Sequence, residues 1–226
     1  CADRTLQIVS AFSMELVNPP AAMAARYPSA EAVETRTGFE TLKSTHCSFV
    51  STTRAYHERA FKEIADLQAA AGLTPRLQFG EFCWWYFNNL GLSTLDDPNV
   101  GMAYCDDETK AAAQVALGRP LWFFKTPDDD PAQHQADADF LAGRLVEYCR
   151  AIRAHVLVYH PGAEFEMLLP LDVNYPAPAG VNWIGGRLNH AVNVPVVFQS
   201  PAAAPFDRIK IEALDFGAWS HNLDLT

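Results

Sequence analysis

The sequence predicts an α/β fold with a mainly parallel sheet, of the (β/α) TIM-barrel-like kind, as one domain over residues 1–226. Short runs rich in β-branched and aromatic residues alternate with longer segments whose apolar residues recur at helical spacing. Strands separated by helices pair in parallel, because a parallel neighbour needs a crossover connection. No GxGxxG or GxxxxGK[ST] follows any of the strand-like runs, which removes the usual support for a nucleotide-binding doubly wound sheet and favours the barrel.

The first run, "TLQIVSAFSMELVNPP", reads as a strand over 6–16, stopped by Asn18-Pro19-Pro20. "STHCSFVST" gives a second strand near 45–50. "TRAYHERAFKEIADLQAAAG" is a helix whose apolar stripe is Tyr56, Ala60, Ile64, Leu67 and Ala71, capped by Ser51 or Thr52 and ended by Gly72. "LTPRLQFGEFCWWYF" follows as a third strand. "DDETKAAAQVALGRP" carries acids in its first turn and Gly118-Arg119-Pro120 after its last, the punctuation of a short helix.

"LWFF" reads as a short strand, and "TPDDDPAQ" is a loop. From it rises the longest helix, with Leu141, Leu145, Tyr148, Cys149, Ile152, Val156 and Tyr159 on one face until Pro161-Gly162. "AEFEMLLPLDVNYP" holds a strand over about 164–171, and "FDRIKIEALDFG" a last one in which Arg208, Lys210 and Glu212 alternate with Ile209, Ile211 and Ala213. That makes about six strands of the eight a barrel needs, so the barrel is expected to be incomplete.

Composition excludes several functions. Of the 226 residues, 49% are hydrophobic and 19% charged, which describes a folded chain rather than a disordered one. A net charge of −10, with 17 lysines and arginines scattered, argues against a nucleic-acid partner. No window reaches the about 18 consecutive apolar residues of a membrane span, and "CADRTLQIVS" lacks the order of a signal peptide. Five cysteines without a CxxC pair and seven histidines without HxH or HExxH spacing argue no metal site, and no cofactor is expected. Asp128-Asp129-Asp130 lacks the calcium-loop pattern, and Ser10 and Ser13 lack the GxSxG context of a nucleophile.

In parallel α/β folds, ligands meet the C-terminal ends of strands. Those ends carry Glu15, His46, Glu81, Asp172, Asn174, Glu212 and Asp215. Paired carboxylates across a cleft serve as acid and as base or nucleophile on a glycosidic bond, and a tryptophan face supports a sugar ring. The candidate catalytic residues are therefore Glu81, Asp172 and Glu212. Candidate binding residues are Trp84, Trp85, Glu15, His46, Asn174 and Asp215, with only one of the adjacent tryptophans facing a cleft. The competing reading pairs each acid with a base, and Arg208 and Lys210 lie on the same strand face as Glu212.

The blocks "LKSTHCSF", "LQFGEFCWWYF", "GMAYCDDETKAAAQVALGRPL", "TPDDDP", "FEMLLPLDVNYP" and "HNLDL" together span nearly the whole chain. In this order they resemble the TIM-barrel-like domain of phage tail proteins of the non-contractile tail sheath type. The resemblance implies a structural module of a tail-like particle on a glycoside-hydrolase-like fold, within a longer polypeptide. It implies other copies or tail-tube proteins as partners, assembly in the cytoplasm, and a virion or extracellular particle as location. It carries no catalytic residue onto this sequence. The alternative is a carbohydrate-binding or carbohydrate-cleaving barrel with a glycan as partner.

Overall fold

A computed structural model describes residues 6–35, 44–87, 97–176 and 185–212. Its strands are β1 (Ser10–Phe12), β2 (Glu15–Leu16), β3 (Glu34–Thr35), β4 (Ser44–His46), β5 (Arg76–Phe79), β6 (Tyr86–Phe87), β7 (Gly101–Met102), β8 (Glu164–Pro170) and β9 (Arg208–Glu212). The helices are α1 (Ser51–Ala70), α2 (Asp107–Leu117), α3 (Gln135–Tyr159), α4 (Leu171–Asn174) and α5 (Arg187–Asn193).

The main sheet has the order β1-β5-β8-β9, and every neighbouring pair runs parallel. The order never reverses. Since crossovers between parallel strands are almost all right-handed, an order that advances in one direction sends every helix to the same face. Accordingly α1 packs on α3, and α3 on α5. A doubly wound sheet reverses its order and carries helices on both faces. The chain is thus a mixed α/β fold with a singly wound parallel sheet, and the four strands of that sheet among the described residues do not by themselves close a barrel.

This is fewer than the expected six strands. The segment near 45–50 forms β4, which pairs antiparallel with β2 and β3 in a separate sheet. Residues 121–124 form no strand, because side chains take their backbone groups. The Trp122 amide donates to Asp137, the Phe124 amide to the Tyr104 hydroxyl oxygen, and that hydroxyl donates to the Trp122 carbonyl. The third strand stops at Phe79 instead of running through the tryptophans. At Gly80 the chain passes so close to β1 that a Cβ would sit 2.9 Å from the Phe12 carbonyl oxygen.

Aromatic rings bind the sheet to its helices. Phe12 stacks on Phe61 at 3.8 Å between centroids, and Phe61 reaches Phe79 at 5.2 Å. The buried face of α1 is Thr53, His57, Phe61, Ala65 and Gln68, rotated by about one residue from the expected stripe. Phe61 goes inward because it covers the most apolar area, about 1.5–3 kcal/mol for a side chain of this size. Leu67 is left 66% exposed. Neither Ser51 nor Thr52 caps this helix: its N-cap is Val50, and the Glu108 carboxylate accepts from the Ser51 amide and hydroxyl. In α3, Leu141, Leu145, Tyr148, Cys149, Ile152 and Val156 are buried as expected, whereas Tyr159 is exposed.

Asp137, in the first turn of α3, is fully buried. It accepts from two Arg119 nitrogens at 2.8 and 2.6 Å and from the Trp122 amide at 2.7 Å. The Arg119 guanidinium, against the opposing effect of burial, holds its carboxyl below the ordinary range. A depressed carboxyl stabilises the fold above the unfolded value near 4, and that stability is lost as pH falls through the folded value. Asp137→Asn should cost about 2 kcal/mol, since Arg119 is half in water. Melting curves across pH 2 to 7 should show the loss shrinking toward the acid end; a constant offset would contradict this account.

Candidate functional site

The two ends of the main sheet differ in chemistry. At the N-terminal end, Glu164 pairs with Arg76 at 3.0 Å and with Arg208 at 2.6 Å, tying the starts of β5, β8 and β9 together. Arg208 is therefore not the partner of Glu212.

At the C-terminal end each strand delivers a carboxylate: Glu15 just past β1, Glu81 past β5, Asp172 past β8 and Glu212 at the end of β9. All four are half-buried. Among the described residues no lysine or arginine forms an ion pair with Glu15, Glu81 or Glu212.

Glu81 sits where β5 has ended and the backbone turns with φ of +50°. A residue with a Cβ in this left-handed region carries about 1–2 kcal/mol of strain, which surrounding contacts must offset. Its Oε2 accepts a hydrogen bond from the Ser13 hydroxyl at 3.1 Å. Burial raises its pKa above the ordinary glutamate value; the Ser13 hydroxyl opposes this, and the charges of Glu15, Glu212 and Asp172 add to it. The three other rim acids thus all bear on Glu81, and their charges favour its protonated form.

The loop after Glu81 is held from two helices. The Trp84 amide donates to the Asn193 side-chain oxygen at 2.6 Å, and the Asn193 side-chain nitrogen donates to the Trp84 carbonyl at 3.0 Å. Its indole Nε1–H donates to the Leu141 carbonyl at 2.8 Å, and the ring meets Phe49 edge-on at 4.6 Å. At 1% exposure Trp84 is a core side chain rather than a binding surface. Trp85 goes the other way. It is half-buried, its ring lies beside Phe87 at 6.1 Å, and its Nε1 has no hydrogen-bond partner.

Two further candidates are also internal. His46 is 1% exposed, and burial pushes its imidazole down to about 3, so it stays neutral and does not meet a ligand at the surface. Asn174 is fully buried, with neither side-chain polar atom paired. Glu15 accepts from the Ser44 hydroxyl at 3.1 Å. Asp215 lies outside the described residues.

The residues that composition and motifs passed over are Ser13 and His57. Ser13 stands between Glu15 and Glu81, accepting from the Glu15 amide at 3.0 Å while it donates to Glu81. His57, buried on α1, bonds the Ser13 carbonyl and the Tyr148 hydroxyl. The only sequence signal for His57 was a histidine one turn before Phe61 on the face that proved to be buried. Among the described residues no group of three or more histidines, cysteines or acids is arranged to hold a metal ion, and no helix is long and apolar enough to cross a membrane.

No family model and no curated protein matches the chain. Among solved structures it is similar in fold to the catalytic domain of β-amylase from Paenibacillus polymyxa, with a TM-score of 0.50 and 12% identity. That match covers 84% of this chain and 56% of the β-amylase chain, so the chain spans little more than half of that domain's length. A family GH13_31 enzyme aligns with a TM-score of 0.39 and 12% identity, over 98% of this chain and 40% of its own.

Proposed function

We propose that this chain is a carbohydrate-active domain of a (β/α) barrel-like fold, in which the acidic rim cleaves a glycosidic bond with Glu81 as proton donor. The observation that carries this reading is the convergence of carboxylates from successive strand ends on Glu81, whose described side-chain partner is a serine and not a base. The fold likeness to a β-amylase catalytic domain is in keeping with it.

The chemistry needs two carboxyl groups. Glu81 passes its proton to the bridging oxygen as the C–O bond breaks. A second carboxylate either takes a proton from the attacking water, after which the pair is reset by proton exchange with solvent, or forms a glycosyl ester that water releases as Glu81 takes back a proton. Asp172 follows the strand beside β5, and Glu212 ends the strand beyond that. With strands about 4.8 Å apart, adjacent ends suit the roughly 5 Å separation of retaining enzymes and alternate ends the roughly 6.5–9.5 Å of inverting ones.

A panel of α- and β-linked glucans and other neutral polysaccharides, assayed for new reducing ends, tests the reading. Release is expected, and the anomer formed first identifies the partner: retention points to Asp172, inversion to Glu212. If the purified chain neither releases reducing ends nor binds any of these glycans, the reading fails. A structural module of a tail-like particle, in a virion or outside the cell, is a second reading. It rests on the sequence blocks alone, and a chain inert toward glycans that co-assembles with further copies would favour it.

A further inference from the structure

Two sets of hydrogen bonds, joined through the covalent frame of Ser13, lead from the core to Glu81. The Tyr148 hydroxyl of α3 lies 2.7 Å from Nδ1 of His57, and Nε2 of His57 lies 3.2 Å from the Ser13 carbonyl oxygen. A carbonyl only accepts, so Nε2 carries the ring hydrogen and Nδ1 accepts from the tyrosine. The Glu15 amide occupies one acceptor site of the Ser13 hydroxyl at 3.0 Å, and the hydroxyl hydrogen is thereby directed to Glu81 at 3.1 Å.

The rings of Tyr56, Phe61, Phe82 and Tyr148 surround His57. Burial, against the opposing effect of the Ser13 carbonyl, lowers its pKa to about 4. The direction of these hydrogen bonds is therefore constant at neutral pH.

We propose that Ser13 and His57 are positioning residues for Glu81: His57 anchors the Ser13 backbone so that the serine hydroxyl orients the Glu81 carboxyl and limits how firmly it holds its proton. The role in catalysis rests on the glycosidic reading above; the effect on Glu81 does not. The groups that act on Glu81 are Ser13 from the β1–β2 turn, Glu15 of β2, Asp172 past β8 and Glu212 of β9. Cys83, two residues on, is buried, and its thiol is held well above its ordinary pKa, first by burial and then by Glu81 and its neighbouring acids. It is thus a neutral neighbour.

A hydrogen bond to the charged carboxylate favours that form, so its loss raises the pKa. Ser13→Ala should therefore move the Glu81 titration upward, read by carboxyl carbon NMR in the absence of any glycan, and Ser13→Thr should return it. In turnover, Ser13→Ala should lower kcat about fivefold with KM little changed, as expected for one net hydrogen bond, and move the alkaline limb of the pH profile upward. His57→Leu should reproduce both effects, and His57→Gln, which keeps a donor for the Ser13 carbonyl, should restore them.

An unmoved Glu81 titration in folded Ser13→Ala overturns the proposal even if glycans are cleaved. So does a His57→Leu variant that loses activity with an unchanged pH profile. Absence of any glycan cleavage, with the titration shifted as described, leaves the positioning role standing and removes only the catalytic one.

Discussion

Glu81→Gln should lower kcat by about 10³-fold on any glycan that the wild-type chain cleaves, with KM within about twofold, because general acid catalysis contributes roughly 10²–10⁴. The amide keeps the shape of the side chain and still accepts from Ser13, so the loss isolates the proton. The pH profile carries the sign. The acid form works below its pKa, and burial together with Glu15, Glu212 and Asp172 raises that value. Wild-type activity should therefore persist above the pH at which an ordinary glutamate has ionised, then fall as pH rises further. Steady-state kinetics from pH 4 to 8 read both effects. A Glu81→Gln variant as active as the wild type would remove Glu81 from catalysis.

Trp84→Ala should destabilise the chain by about 4 kcal/mol, the scale of a large aromatic truncated in a packed core. The ring is buried against Phe49 and Tyr104, and its Nε1–H reaches the Leu141 carbonyl, so the substitution loses both packing and a hydrogen bond. Urea denaturation followed by circular dichroism measures the change. A loss under 1 kcal/mol would mean that the site collapses to fill the void. Trp85→Ala at the half-buried neighbour should cost far less stability, and that contrast separates the two rings.

Several features were legible because they depend on neighbours in sequence. The ends of α2 follow from Asp106, whose carboxylate accepts from the Thr109 amide, and from Gly118, which takes a φ of 69°. The long periodic run of α3 identifies its own inward face. The strand-end position of Asp172 follows from where the apolar run before it stops.

What was not legible depends on pairings across the chain. The inward face of α1 is settled by Phe12 and Phe79, which lie on other elements, so a periodicity count that weighed Leu67 above His57 was off by one residue. The fate of 121–124 depended on Tyr104 and Asp137, and a local apolar run does not reveal them. Ser13 matched no motif, because its role lies in a bond to a residue 68 positions away.

The clasp on Trp84 also bears on the order of folding. The loop carrying Glu81 is tied by Asn193, 109 residues on, and by Leu141, 57 residues on. Such distant closures come late, because the entropy of ordering the intervening chain must be met before they form. A nascent chain that has made β1, α1 and β5 can set Ser13 beside Glu81 but still lacks the clasp on Trp84. The rim is therefore a property of the docked helices as much as of the strands that bear its residues.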